Sequence, residues 1–419
     1  MNRNPEKDCG LTPLRILHII NSLAPESGGP AESVTRLTQS ATQAGIYDTE
    51  VVCLDDPSEP YLQGTCFPIH AIGRGLGKYG YSRKLDRWLK QNLDRFDGVV
   101  INGLWQYHAW AGSRACQGRV PYVVFPHGML DPWFKRHYPI KHLKKALYWK
   151  IAEAGVLRHA EAVFFTASLE AELARQSFQS SEWTSKVVPY GTLPPIGDPS
   201  SQIEAFHAIC PEVRGKRFIV FLGRLHEKKG CDLLVKAFAR CAKEDPSIHL
   251  VLAGPDQQRS IADLSAIAGG LGVADRVHFP GMLRGDAKWG AFYAAEVFAL
   301  PSHQENFGIA VAESLACGTP VLISNKVNIW REIVEDGVGI VDDDTIEGTS
   351  RMLRAWLNST EPKKAAMAER CTATFHKRFH IQRLPRIVEE FFLQHANDRL
   401  QAAACLEIHP ETVLEPKSS

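Results

Sequence analysis

Leu300-Pro301-Ser302-His303-Gln304-Glu305-Asn306-Phe307-Gly308-Ile309-Ala310-Val311-Ala312-Glu313-Ser314-Leu315-Ala316-Cys317-Gly318-Thr319-Pro320-Val321-Leu322-Ile323-Ser324 decides the fold. Apolar residues 297–300 supply a short buried strand, and a helix follows Gly308 until Gly318 and Pro320 end it. Residues 321–324 form the next strand. Gly308 near the helix start lets a ligand approach unpaired backbone N–H groups, which favour an anionic phosphate. Glu305 on the loop and Glu313 in the helix are poor partners for phosphate itself. They suit sugar and ribose hydroxyls, which donate hydrogen bonds to a carboxylate. The stretch therefore points to a molecule that carries both hydroxyls and phosphate.

The same grammar extends in both directions. Strands are expected at 217–222, 249–253, 276–279, 297–300 and 321–324, separated by helices at 232–242, 261–268 and 286–294. Earlier in the chain, strands are expected at 15–20, 49–54, 96–101, 122–125, 162–165 and 186–188. A helix over 31–44 begins after Pro30 and stops at Gly45. Short apolar strands alternating with helices imply a parallel sheet covered on both faces. Residues 189–201, rich in Pro, Gly and Ser, mark a boundary. Two doubly wound α/β domains result, with ligands expected at the carboxyl ends of their strands, in the cleft between them.

Three further stretches sit at such strand ends. Gly223-Arg224-Leu225-His226-Glu227-Lys228-Lys229-Gly230 holds a guanidinium and an ammonium on one turn, charges that can neutralise a leaving diphosphate. Ser27-Gly28-Gly29-Pro30 allows close backbone approach to a phosphate or an acceptor. Phe125-Pro126-His127-Gly128 ends another strand with an imidazole. Asp55-Asp56 and Asp342-Asp343-Asp344 read as surface turns, so no metal site is expected.

Glu305-x7-Glu313 with Phe307-Gly308 between closely resembles the donor-binding signature of retaining GT-B-fold glycosyltransferases, in particular the family called glycosyl transferases group 1. The resemblance covers roughly residues 14–395 and is strongest from Gly223 to Ser324. It implies an α/β GT-B architecture of two doubly wound, Rossmann-like domains facing each other across a cleft. Residues 1–195 would bind the acceptor, 196–378 the nucleotide-sugar donor, and the helix of 379–400 would cross back to the first domain. Residues 401–419 are expected to form a disordered tail. In that family Glu305 would hold sugar hydroxyls, and the segment Asn306, Phe307, Gly308 and Ile309 would lie against donor sugar and phosphate. Glu313 would bind the ribose, Arg224 and Lys229 the diphosphate, and His127 the sugar near the reacting carbon, without transferring a proton. Gly28 and Gly29 match the family's glycine-rich loop, whereas Tyr190 stands where the family often has Asn. The implied activity is metal-independent, retaining sugar transfer to a saccharide or lipid-linked saccharide in cell-surface polysaccharide synthesis. A nucleotide-diphosphate sugar is the co-substrate, with no other cofactor. The rival readings are a non-catalytic nucleotide-sugar-binding subunit and a nucleotide-sugar epimerase of the same fold.

Bulk properties narrow the partners. The 419 residues have a net charge of +1, which gives no global field for nucleic acid. Ten cysteines are scattered without metal spacing and read as free thiols of a reducing compartment. No run approaches twenty apolar residues, and residues 1–12 lack the apolar core of a signal peptide, so a cytoplasmic location is expected. From Lys135 to Lys150 the chain has six basic residues, no acid, and Tyr138, Tyr148 and Trp149 interleaved. Ile140, Leu143, Leu147, Ile151 and Ala154 recur at helical spacing and are expected to pack on the sheet. The lysine face and the aromatics would then meet an anionic membrane surface at its inner face, or be merely solvated.

Overall fold

A computed structural model describes residues 13–133, 135, 139–178, 182–256 and 260–408. They fall into two compact units. One comprises the described residues up to Phe165, Arg175–Val188 and those from Gln382 onward; the other comprises Thr166–Ala174 and Pro189–Ile381.

The first unit is built on a seven-stranded sheet of β1 (Arg15–Ile20), β2 (Asp48–Cys53), β3 (Ile69–Ala71), β4 (Gly98–Asn102), β5 (Tyr122–Phe125), β6 (Ala162–Phe165) and β7 (Ser185–Val187). Its order is β3-β2-β1-β4-β5-β6-β7, with every pairing parallel. All residues of β4, β5 and β6 are buried, as strands covered on both faces must be. The helix Gly29–Ala44 has Pro30 in its first turn and a left-handed Gly45 as its C-cap, the stop that the sequence announces. From the far end of the chain, helix Arg383–Ile408 packs on this sheet. Phe391 meets Phe164 edge-on at 5.2 Å, and a Cβ at Gly98 would lie 2.6 Å from the ring of Phe392.

The second unit holds β8 (Arg217–Leu222), β9 (Ile248–Ala253), β10 (Val277–His278), β11 (Val297–Leu300), β12 (Val321–Ser324) and β13 (Gly339–Asp342). They are ordered β10-β9-β8-β11-β12-β13 and again all parallel. In each sheet the chain winds one way from the first strand, then returns to its other side. The switch points therefore lie between β1 and β4, and between β8 and β11.

Several expectations need correction. Edge strands β3 and β13 were not expected, because each is short and only half-buried and so lacks a fully apolar run. Residues 401–408 are helical, continuing Arg383–Ile408, and not a disordered tail; 409–419 lie outside the described residues. Residues 189–195, expected in the first domain, belong to the second unit: Thr192 pairs with His380, and a Cβ on Gly191 would collide with the Phe379 carbonyl at 1.6 Å. Asp55 is no surface turn: it is buried and accepts hydrogen bonds from Ser22 Oγ (2.6 Å), the Leu23 amide (2.7 Å) and Tyr61 Oη (3.0 Å). It thereby anchors the loop that leads to Gly28.

Candidate functional site

In the second unit the switch point is formed by the turn after β8 and the loop after β11. The turn folds tightly because His226 Nδ1 accepts from the Lys228 amide (3.0 Å) and Gly230 is left-handed at φ 69°. A Cβ on Gly230 would lie 2.2 Å from the Pro301 carbonyl oxygen, so only glycine lets the two segments touch. Ser302 Oγ donates to the Lys228 carbonyl (2.9 Å), and so does the His303 amide (2.9 Å). The turn and loop are thus sewn together by backbone, before any side chain of the site is considered.

Within this frame Lys229 forms an ion pair with Glu305; their side chains are 16% and 18% exposed. Burial opposes ionisation of Glu305, but Lys229, Lys228 and Arg224 together hold its carboxyl below the usual carboxylate range. The backbone of Glu305 is fixed by a bridge to Val327 and by hydrogen bonds to Lys326 and Asn328. Arg224 is exposed on the same turn. Phe307 is buried, edge-on to Tyr190 at 4.8 Å and to Phe379 at 5.7 Å. Tyr190 thus packs under the loop. Asn306 Nδ2 donates to Thr166 Oγ1 (3.3 Å).

Gly308 is the left-handed N-cap (φ 79°) of helix Ile309–Ala316; a Cβ there would sit 3.1 to 3.4 Å from Val311, Glu305 and Val327. The first amides of this helix carry its positive dipole end. Glu313, in the same helix, is buried and pairs with Lys288 Nζ at 2.7 Å. The Cys317 thiol is pushed up to about 12 by burial and is therefore an inert neighbour. The nearby Asp344 is not a free surface residue either, since it accepts from His303 Nδ1 at 2.8 Å.

The first unit has its own switch-point features. Gly28 (φ 73°) and Gly29 open the helix after β1, on the loop held by Asp55. Asn102 ends β4, and its Oδ1 lies 3.2 Å from His127 Nε2. His127 is left-handed (φ 51°), an uncommon conformation for a residue with a side chain. Burial lowers its ring to about 4, so the imidazole is neutral at pH 7. Among the described residues no cluster of three or more His, Cys, Asp or Glu could hold a metal ion.

The sequence residues Arg224, Lys229, Glu305 and Gly308 are therefore brought together in one unit, with Glu313 on the helix that Gly308 starts. Lys288 and Asn102 escaped the sequence reading, and Asp55 was read there only as part of a surface turn. Lys288 is the cation opposite Glu313, but 25 residues separate them and only folding pairs them.

Residues 202–373 match the family model described as glycosyl transferases group 1, and residues 28–191 match the glycosyl transferase 4-like domain. The two matches span most of the chain, and each falls on one of the two sheets. The chain belongs to the group 1 glycosyl transferases. A D-inositol 3-phosphate glycosyltransferase of Acidothermus cellulolyticus is 32% identical over 194 residues, covering 45% of this chain and 43% of that protein. One from Xylanimonas cellulosilytica is 31% identical over 202 residues, covering 46% and 47%. The matches span about half the length of these curated relatives. Among solved structures, HepE of Anabaena, in complex with UDP and glucose, superposes with a TM-score of 0.72 at 20% identity. That match covers 91% of this chain and 100% of HepE. WaaG, a glycosyltransferase involved in lipopolysaccharide biosynthesis, superposes at 0.62 with 18% identity, covering 90% and 99%. This group 1 glycosyl transferase therefore has the two-domain, Rossmann-like GT-B fold.

Proposed function

We propose that the chain moves a sugar from a nucleotide-diphosphate sugar to a saccharide or lipid-linked saccharide, with retention at the anomeric carbon, in cell-surface polysaccharide synthesis. The observation that carries this reading is the Lys229–Glu305 pair beside Arg224 and the Gly308 helix N-terminus, at the switch point of the second sheet. Two cations and a helix dipole suit a diphosphate, while two carboxylates suit hydroxyls. HepE binds UDP and glucose on the same fold, which favours a uridine donor. WaaG's place in lipopolysaccharide biosynthesis favours the pathway.

In this mechanism the bond between the anomeric carbon and the leaving phosphate oxygen breaks as Arg224 and Lys229 meet the growing charge. The acceptor hydroxyl attacks from the same face, and its proton passes to the departing phosphate. Glu305 orients sugar hydroxyls, and the amides of Gly308 and Ile309 receive phosphate oxygens. Glu313 holds the ribose. His127 moves no proton: its neutral ring is engaged with Asn102 and offers a polar contact only. The acceptor is assigned to the first unit. Because the chain's own cations neutralise the diphosphate, transfer is expected to persist in a chelator. The test is proton NMR of the product formed from UDP-glucose and an acceptor extract. An axial anomer, with no product when acceptor is omitted, supports the reading. An acceptor-free sugar product would favour the epimerase instead, and binding without turnover the non-catalytic subunit.

A further inference from the structure

The helical segment from Pro139 to Arg158, which includes a π-helical turn at Trp149–Glu153, lies differently from the way its sequence suggests. Its apolar stripe does not pack on the sheet. Ile140, Leu143, Leu147 and Ile151 are 77%, 72%, 64% and 73% exposed. They recur at i, i+3, i+7 and i+11, and so form one continuous ridge. The opposite face is what packs inward. Trp149 is buried and stacked on Phe178 at 4.6 Å, and His142 stacks on the same ring at 4.8 Å. The Lys145 ammonium lies 4.3 Å above the Trp105 ring. Tyr148 Oη is 2.7 Å from Tyr79 Oη. These anchors fix the helix's rotation, so the ridge cannot roll inward without unstacking them.

Four large aliphatic side chains exposed in a row are not ordinary surface; scattered single ones are. Their surroundings indicate what covers them. Lys144 and Lys150 are exposed, and helical spacing sets them on either flank of the ridge. Residues 132–152 contain no acid, and Glu153, the first to follow, is buried. The turn that carries Tyr79 adds an exposed Leu76 (73%) and an exposed Lys78. Arg136 and Tyr138, which the sequence included in this feature, lie outside the described residues, as does the Lys141 side chain. No helix among the described residues is long and apolar enough to cross a membrane.

We propose that this ridge is a membrane-docking surface that inserts Ile140, Leu143, Leu147 and Ile151 into an anionic lipid bilayer, with Lys144 and Lys150 on the headgroups. An apolar strip bordered by lysines matches the boundary between acyl chains and anionic headgroups, and lysine stems reach from one to the other. A protein partner would need acidic complements on both flanks of an apolar groove; a bilayer presents that pattern everywhere. The lysines keep the contact expected of them, but the apolar ridge takes the place of the aromatics, because Trp149 is an internal anchor. The insertion does not depend on the sugar-transfer reading, since its readout is binding.

The test is co-sedimentation of the full chain with phosphatidylglycerol and with phosphatidylcholine vesicles at low salt. The wild type should pellet with the first and not the second. Leu143→Ser/Leu147→Ser should bind roughly tenfold or more weakly per leucine lost. Lys144→Gln/Lys150→Gln should bind about fivefold more weakly per lysine at low salt, a difference that high salt erases. All four side chains are solvent-exposed or flank the ridge, so thermal midpoints should match the wild type. The proposal is overturned if the wild type stays in the supernatant with phosphatidylglycerol, or if the leucine variant pellets like the wild type. Equal binding to both lipids overturns it as well. A vesicle-free dimer that dissociates in the leucine variant would make the ridge a contact between copies and equally overturn it.

Discussion

Removing Glu305 would leave Lys229 as a poorly hydrated ammonium in search of an anion, and a bound diphosphate is one. The two carboxylates of the motif should therefore respond in opposite ways. Glu305→Ala should leave affinity for the free nucleoside diphosphate unchanged or raise it, while lowering sugar transfer. Glu313→Ala should weaken that affinity by roughly tenfold or more, the worth of a hydrogen bond to a charged group. Calorimetry with the nucleotide alone separates the two, and a larger loss in Glu305→Ala would reverse the assigned roles. Both carboxylates were legible in the sequence because their spacing is local. Their cations were legible unequally. Lys229 stood out because Gly230 and the preceding strand frame it, whereas Lys288 sits in an ordinary helix, Gly285–Ala294, and gains meaning only by contact.

The turn after β8 and the loop after β11 depend on one glycine for their contact. Gly230 and Gly272 have nearly the same left-handed φ, 69° and 73°, but only Gly230 would bring a Cβ against backbone. Alanine at Gly272 should cost about 1–2 kcal/mol, the strain of a left-handed residue. At Gly230 the same strain is joined by a collision with Pro301, so the thermal midpoint should fall further and nucleotide affinity should fall with it. Equal midpoints, or intact nucleotide binding in Gly230→Ala, would show that the contact does not hold the site. The central strands of both sheets were legible because burial on both faces demands unbroken apolar runs. Edge strands β3 and β13 were hidden because hydrogen bonds to a neighbour, more than apolar content, define them. The basic helix was misread for a related reason. Periodicity reveals that an apolar stripe exists but not which side of the helix the rest of the protein covers.

Among the described residues, neutral histidines that are buried or half-buried outnumber their acidic counterpart. Burial is the principal cause that lowers His18 to about 3 and His108, His127 and His249 to about 4. An unfolded chain binds these protons near pH 6.5, so in the window from about 6.5 to 4 it holds more protons than the folded one. Stability must then fall as pH falls through that window. Glu153, raised to about 7 by burial, works the other way between 4.5 and 7, but it is one group against four. A pH series of thermal midpoints should therefore decline from pH 6.5 towards 4.5. A flat or rising series would mean that the imidazoles are charged in the folded state.

The central claim is that the cationic turn and the acidic loop form one donor site that works on the leaving diphosphate. It is tested most directly by the turnover of Arg224→Ala against the wild type, with the nucleotide sugar whose diphosphate binds the protein. Arg224 is exposed, so the variant's thermal midpoint should be unchanged. Its turnover should drop by roughly 10²- to 10³-fold, as when one preorganised donor to a developing anion is lost. Near-normal turnover in a folded Arg224→Ala would contradict the account.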